Sequence, residues 1–324
     1  MSPERQFASL ATVTLPAGPV HLALGMFDGI HRGHQSVIFS AVSAAQAAGG
    51  LAGVLTFQPH PSVVLRPERP TPLLLTREVK LDLLARLGLD FLVEEPFTPE
   101  LAQTSSQEFI ARLKQALPGL AAVYIGENFR FGRGREGDAA YLETQATAMG
   151  FAAHRAVRLQ SGGEAVSSSR IRTLVASGRI AEANELLGYS YYSTGVVEPG
   201  RQLGRTLGFP TLNLRWEPGL QPAYGVYVVE IEEPDGRRVP GVANYGLRPT
   251  VEQTSRPLLE VHVLGETKAT NGTKLMVRWL HFLRHEMKFS GVEALRSQIA
   301  LDRAAAVAEL PRLESRVLGS PRRS

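Results

Sequence analysis

A change of hydrophobic period near Gly188 constrains the fold of this chain more than any other feature. Before it, short apolar runs alternate with segments of helical spacing. Between residues 189 and 289 there are only short alternating segments punctuated by glycine and proline. In the first part, 20–24, 51–57, 91–93, 121–125 and 151–159 read as strands. Thr76 is placed to cap a helix that reaches Leu87 before Gly88, and Ser105 and Glu108 form a capping-box pattern. A further helix spans 138–149 and closes at Gly150. Strands alternating with helices predict a doubly wound, mostly parallel α/β sheet, whose ligands bind beyond the carboxyl ends of the strands.

In the second part the strand candidates are 196–197, 225–231, 239–243, 258–264 and 275–283, with a hairpin turn at Pro234-Asp235-Gly236. Many short strands at this spacing predict an antiparallel barrel. A last helix over 292–310 follows, and the tail 319–324 is expected to be disordered. The predicted domains are therefore 1–187 and 188–324.

Composition excludes several classes. The chain has 324 residues and a formal charge of only +4, too mild for a nucleic-acid coat. No cysteine is present, which removes disulfides, thiolate metal sites and a cysteine nucleophile. No run approaches the roughly 18 apolar residues of a membrane span, and the first residues lack the pattern of a secretory leader. The expectation is a cytoplasmic protein with no nucleic-acid or membrane partner.

The densest motif is 25–35, Gly-Met-Phe-Asp-Gly-Ile-His-Arg-Gly-His-Gln, which lies between a strand and a helix start. Gly25, Gly29 and Gly33 allow the backbone to approach a ligand closely. Free amides and the helix dipole favour a phosphate there, and His31 and His34 can both face it. His60 follows the second strand, in Gln58-Pro59-His60-Pro61. Asn128 follows the strand at 121–125, among aromatics that could stack on a planar ring. Ser167-Ser168-Ser169-Arg170-Ile171-Arg172 opens a helix with hydroxyls and two arginines suited to phosphates.

In the second part, 200–214 carries Gly204, Arg205 and Gly208 in a loop whose amides could wrap phosphates. It is not a Walker A loop, because no Gly-Lys-Ser/Thr occurs. Thr211 and Asn213 alternate on a strand start, so both oxygens could reach one hard cation such as Mg²⁺. Glu260 and His262 share the strand face opposite Leu259, Val261 and Val263. A carboxylate near a bound hydroxyl is the base that phosphoryl transfer to an alcohol needs.

Taken together, 25–35, 56–61, 126–138 and 167–172 resemble the adenylyltransferase half of the bacterial bifunctional riboflavin kinase/FAD synthetase. The segments 204–214, 224–227, 241–246 with Pro249-Thr250, 259–264 and 282–289 resemble its riboflavin kinase module, a six-stranded antiparallel barrel. The resemblance implies that riboflavin is phosphorylated to FMN, and FMN then adenylylated to FAD with release of pyrophosphate. ATP is the implied co-substrate and Mg²⁺ the implied metal.

By resemblance His31, His34 and Glu260 are catalytic, and Thr211 and Asn213 hold the metal. Gly25, Phe27, Asp28, His60, Asn128, Ser168, Arg172, Gly204, Arg205 and Gly208 bind ATP. The family's Pro-Thr-Ala-Asn reads Pro-Thr-Leu-Asn here, and Leu212 is expected to point away from the metal. A monomer or weak homo-oligomer is expected. Two other readings are a chain with one active half and a flavin-sensing regulator. The intact His-x-Gly-His and Ser-Ser-Ser-Arg-Ile-Arg speak against a degenerate first half, and the lack of a DNA-reading element speaks against a regulator. The aminoacyl-tRNA synthetases also use His-x-Gly-His, but their lysine-rich loop is missing.

Overall fold

A computed structural model describes residues 5–200, 208–247 and 257–318. The chain forms two compact units, Met1–Ser168 and Ser169–Ser324. The expected break at 187/188 lies further along. After the compact-unit division, the helix over 180–187 packs on the strand 274–285 of the barrel.

The first unit runs β1 (Gln6–Phe7), β2 (Val20–Leu24), α1 (Arg32–Ala47), β3 (Leu51–Gln58), α2 (Pro61–Leu65), α3 (Arg77–Ala85) and β4 (Phe91–Pro96). It continues with α4 (Pro99–Gln103), α5 (Ser106–Ala116), β5 (Leu120–Gly126), β6 (Arg130–Phe131), β7 (Gly137–Asp138), α6 (Ala139–Ala148), β8 (Ala152–Ala156), β9 (Gln160–Ser161) and β10 (Glu164–Ala165). Six strands form one sheet in the order β1-β4-β3-β2-β5-β8, and every neighbouring pair is parallel. On one face Leu22, Leu24, Leu55, Val93, Val123 and Ile125 pack with Phe109, Ile110 and Leu113 of α5 and with Leu142 of α6. Val37, Ile38, Ala41 and Val42 of α1 are buried outside that cluster, against β2, β3 and β5. Both faces are thus covered, as a parallel sheet requires.

The strand order reverses between β2 and β5, since the chain builds outward through β3 and β4 before returning to β5. That reversal is the switch point where such sheets bind ligands. The expected helix caps are present. Thr76 accepts from the Val79 amide at 3.4 Å, and Ser105 and Glu108 cap each other's backbone. Three boundaries differ from expectation by more than one residue. β4 runs on from Val93 to Pro96, α3 ends at Ala85, and β8 ends at Ala156 because the chain leaves the sheet for the β9–β10 hairpin.

The second unit begins inside α7 (Ser168–Ala176), after Ser168, and holds α8 (Ile180–Leu187), β11 (Tyr192–Glu198), β12 (Thr211–Arg215), β13 (Gly225–Glu232), β14 (Arg238–Leu247), β15 (Pro257–Val263), β16 (Lys274–His285) and α9 (Val292–Leu318). Its strands close a six-stranded barrel, β11-β12-β15-β14-β13-β16, with every pair antiparallel. Closure removes every exposed strand edge. Trp279 fills the centre, its ring 4.7 Å from Tyr227, 5.3 Å from Trp216 and 5.8 Å from Tyr245. The Trp279 indole N–H donates to Ser193 Oγ at 3.1 Å, so its polar end is satisfied inside the core.

α8 docks on β16. Asn184 Nδ2 donates to the Trp279 carbonyl at 2.9 Å, while Asn184 Oδ1 accepts the Tyr191 amide at 2.8 Å. The α9 helix passes Pro311 and runs beyond the expected end at Leu310. It is tied to β16 by Arg284, which donates to both oxygens of buried Asp302 at 2.8 and 2.6 Å. The tail 319–324, and with it the expectation of disorder there, lies outside the described residues.

Candidate active sites

The turn between β2 and α1 sits at the carboxyl end of β2, beside the switch point. It carries unusual backbone angles: φ is 51° at Phe27, 85° at Gly29 and 35° at Ile30. For phenylalanine and a β-branched isoleucine this left-handed region is costly, on the order of 1–3 kcal/mol each. Hydrogen bonds from four directions hold the turn there. Thr56 Oγ1 on β3 donates to the Met26 carbonyl at 3.2 Å. The Leu74 amide donates to the Asp28 carboxylate at 3.0 Å, and Ser168 Oγ donates to the Asp28 carbonyl at 2.8 Å. Gln35 Nε2 donates to the Ile30 carbonyl at 2.8 Å. Asp28 is therefore buried for a structural reason.

His31 is the N-cap of α1, with its Nδ1 accepting the His34 amide at 3.3 Å. The His31 and His34 rings stack with centroids 3.7 Å apart at 16°, and the edge of Phe27 meets His34 at 5.4 Å. A Cβ on Gly33 would lie 3.2 Å from the His31 ring, so a side chain there would crowd the stack. A Cβ on Gly25 would lie 3.1 Å from the Phe27 ring. Two imidazoles and the first amides of α1 are thus gathered at one helix N-terminus, where an anion is favoured.

Of the other expected residues, His60 and Asn128 of this unit follow the neighbouring strands β3 and β5, Ser168 is the unit's last residue, and Arg172 belongs to the second unit. His60 follows β3 and caps α2, with its Nδ1 receiving the Ser62 amide at 3.1 Å. Asn128 is exposed in the turn after β5, next to Phe129 stacked on Phe131 at 5.5 Å. Ser168 opens α7, and Arg172 sits four residues on, so the two share one helix face. Sequence reasoning missed Thr56 and Lys80. Thr56 is fully buried, and Lys80 Nζ donates to its hydroxyl at 2.6 Å. The available signal was a lysine beside Val79 on the buried side of α3 in a chain that otherwise favours arginine.

In the barrel, strand register assembles the second site. Leu214, Leu259, Val261, Ala243 and Tyr245 are buried inside, which leaves the intervening residues outside. Asn213 pairs with Glu260, Glu260 pairs with Asn244, and Thr211 pairs with His262. Paired residues point to the same face with Cβ atoms roughly 5 Å apart. A polar row therefore crosses the outer wall, with Glu260 between two carboxamides. His262 Nδ1 is 2.9 Å from the Pro210 carbonyl, and its ring meets Phe209 edge-on.

Leu212 faces the other way, as expected, opposite Val261. The backbone at Gly200 lies so close to Asn213 that a Cβ there would be 2.0 Å from Nδ2. Gly208, at φ 85°, leads into β12. Gly204 and Arg205 lie outside the described residues, as does Pro249-Thr250. Among the described residues no three His, Asp or Glu side chains converge as a metal cluster. No helix among them is long and apolar enough to cross a membrane.

A parallel sheet with an imidazole-bearing helix start and a closed barrel with a polar outer row define a two-unit, phosphate-handling transferase. The family model described as FAD synthetase matches residues 16–170, and the model described as riboflavin kinase matches 187–310. A bifunctional riboflavin kinase/FMN adenylyltransferase of Listeria monocytogenes is 36% identical over 295 residues, 90% of this chain and 93% of that protein. Its counterparts in Escherichia coli K12 and Bacillus subtilis are 33% and 34% identical, each over 88% of this chain and 91% of the relative. A crystal structure described as a macrolide-efflux protein from Streptococcus pneumoniae shares the fold at TM-score 0.84 and 28% identity, over 93% of this chain and 97% of that one. This chain belongs to the bifunctional riboflavin kinase/FMN adenylyltransferase family.

Proposed function

We propose that the barrel unit phosphorylates riboflavin to FMN and that the sheet unit adenylylates FMN to FAD, each at the expense of ATP. The stacked pair His31 and His34, set on a strained turn at the switch point, carries the reading. Such strain is kept where a backbone must present groups to a ligand. Both family matches, in this order along the chain, support it.

In the first reaction the 5′-hydroxyl of riboflavin attacks the γ-phosphorus of ATP, Glu260 accepts the hydroxyl proton, and ADP leaves. Asn213 and Asn244, on the strands either side, keep the carboxylate within a polar row. The hydroxyl of Thr211 and the side-chain oxygen of Asn213 are hard donors on one face, and the bare Gly200 backbone accommodates the Asn213 side chain. These two residues would hold Mg²⁺, which neutralises phosphate charge. Gly204, Arg205 and Gly208 complete the ATP loop in this reading.

In the second reaction an FMN phosphate oxygen attacks the α-phosphorus of ATP, and pyrophosphate leaves. The nucleophile is already ionised, so no base is needed. The chain supplies position and charge stabilisation. His31, His34 and the α1 amides face the phosphates, while Gly25, Phe27 and Asp28 shape the turn. His60, Asn128, Ser168 and Arg172 contact ATP or its pyrophosphate. Function divides at 187/188. The reading places a monomer or weak homo-oligomer in the cytoplasm, without nucleic-acid or membrane partners. Incubating the purified chain with riboflavin, ATP and Mg²⁺ should give FMN first and FAD later. FMN alone would remove the assignment of the sheet unit, and no flavin nucleotide would remove both.

A further inference from the structure

Beside the strained turn α3 carries a half-buried lysine. Lys80 Nζ donates to Thr56 Oγ1 at 2.6 Å, and that hydroxyl in turn donates to the Met26 carbonyl at 3.2 Å. Glu94 pairs with Thr56 in the sheet register, but its two oxygens receive Nε and Nη2 of Arg77 at 3.2 and 2.5 Å. Among the described residues the ammonium's one hydrogen bond is therefore to a neutral hydroxyl. A charge withdrawn from water onto a hydroxyl is costly, and a methionine would fill the same space without that cost.

We propose that Lys80 is a positioning residue for adenylyl transfer. Through Thr56 its ammonium fixes the Met26 carbonyl, and its charge faces Asp28 across the turn. The stretch Phe27–His31 is thereby held with its amides and imidazoles towards the phosphates. The inference rests on the reading of 25–35 as the adenylyl-transfer site.

Its electrostatics make the role testable. Burial draws the Lys80 ammonium down to about 8. Glu94 on β4 and Asp28 on the turn pull it upward, and Arg77 on its own helix adds to the lowering. Above that pH the charge facing Asp28 is lost and the hydrogen bond to Thr56 weakens, so adenylyl transfer falls. Stability moves the other way. Between about 8 and the ordinary lysine value the unfolded chain holds a proton that the folded chain has released, so this group makes folding more favourable as pH rises. Alkaline loss of activity through Lys80 is therefore not unfolding.

The test follows FAD formation from supplied FMN and ATP in the full-length chain, from neutral pH to about 10. FMN formation from riboflavin serves as the internal control. Wild type should show kcat falling with an apparent pKa near 8, with the fold intact by circular dichroism. In Lys80→Arg, whose guanidinium stays charged, the fall should move up by more than about one unit. Lys80→Met should lower kcat for FAD formation roughly tenfold or more, with KM for ATP and the rate of FMN formation unchanged. Wild-type kcat in Lys80→Met, or an unmoved alkaline limb in Lys80→Arg, overturns the proposal. If Lys80→Met loses both activities, the Lys80→Arg profile decides alone. A wild type that makes FMN but no FAD at any pH would remove the site reading, and the proposal with it.

Discussion

The two sites are built in opposite ways. The sheet unit gathers its groups on a turn that bends isoleucine and phenylalanine into left-handed angles. Hydrogen bonds arriving from residues as distant in sequence as Leu74 and Ser168 hold it in place. The barrel unit needs no such scaffold. Asn213, Glu260 and Asn244 are neighbours because three antiparallel strands pair in one register. A turn offers several amides to one phosphate but must be pinned from outside. A strand row is pinned by its own ladder, but offers only side chains to the ligand.

The largest test of this contrast is Glu260→Gln. It should lower riboflavin phosphorylation by roughly 10³-fold, the scale of a lost general base, with FAD formation from supplied FMN unchanged. Loss of both rates would show that the two units are not separable. Next, His34→Ala should reduce adenylyl transfer by about 10²–10³-fold at saturating ATP, leaving FMN formation as it was. Unchanged turnover would take His34 out of catalysis. A smaller effect is expected from Gly200→Ala, whose new methyl meets the Asn213 side chain. The Mg²⁺ concentration for half-maximal kinase rate should rise roughly tenfold, and a wild-type titration would separate Asn213 from metal binding. The smallest is Ser105→Ala. Losing the α5 capping box should destabilise the sheet unit by about 1 kcal/mol in urea unfolding, with both rates intact at ordinary temperature.

Much of this architecture is legible in the chain. Every barrel strand among the described residues except β12 overlaps an apolar or alternating run in the chain, β11 only at 196–197, and β12 is marked instead by Thr211 and Asn213. The sheet strands read as apolar runs because helices bury both faces. What stayed hidden was short or non-local. β1 is two residues long and pairs with β4 across more than half the unit. The helix α8 is too brief for its periodicity to stand out. The docking of α8 on the barrel through Asn184 and the Trp279 carbonyl is a contact that no local pattern announces. Lys80 stayed hidden for the same reason, since its meaning comes from Thr56 and Met26.

The sequence by itself determined the chemistry at hand: which imidazoles, hydroxyls, amides and carboxylates exist, and on which kind of element each lies. Local periodicity and spacing suffice for that, because caps, turns and alternation act over a few residues. Only the tertiary structure decided the partners. It stacked His31 on His34, set Asn213 and Asn244 on either side of Glu260, and left an ammonium resting on a hydroxyl under the turn. Those pairings depend on strand order, register and burial, which are properties of the whole packed unit.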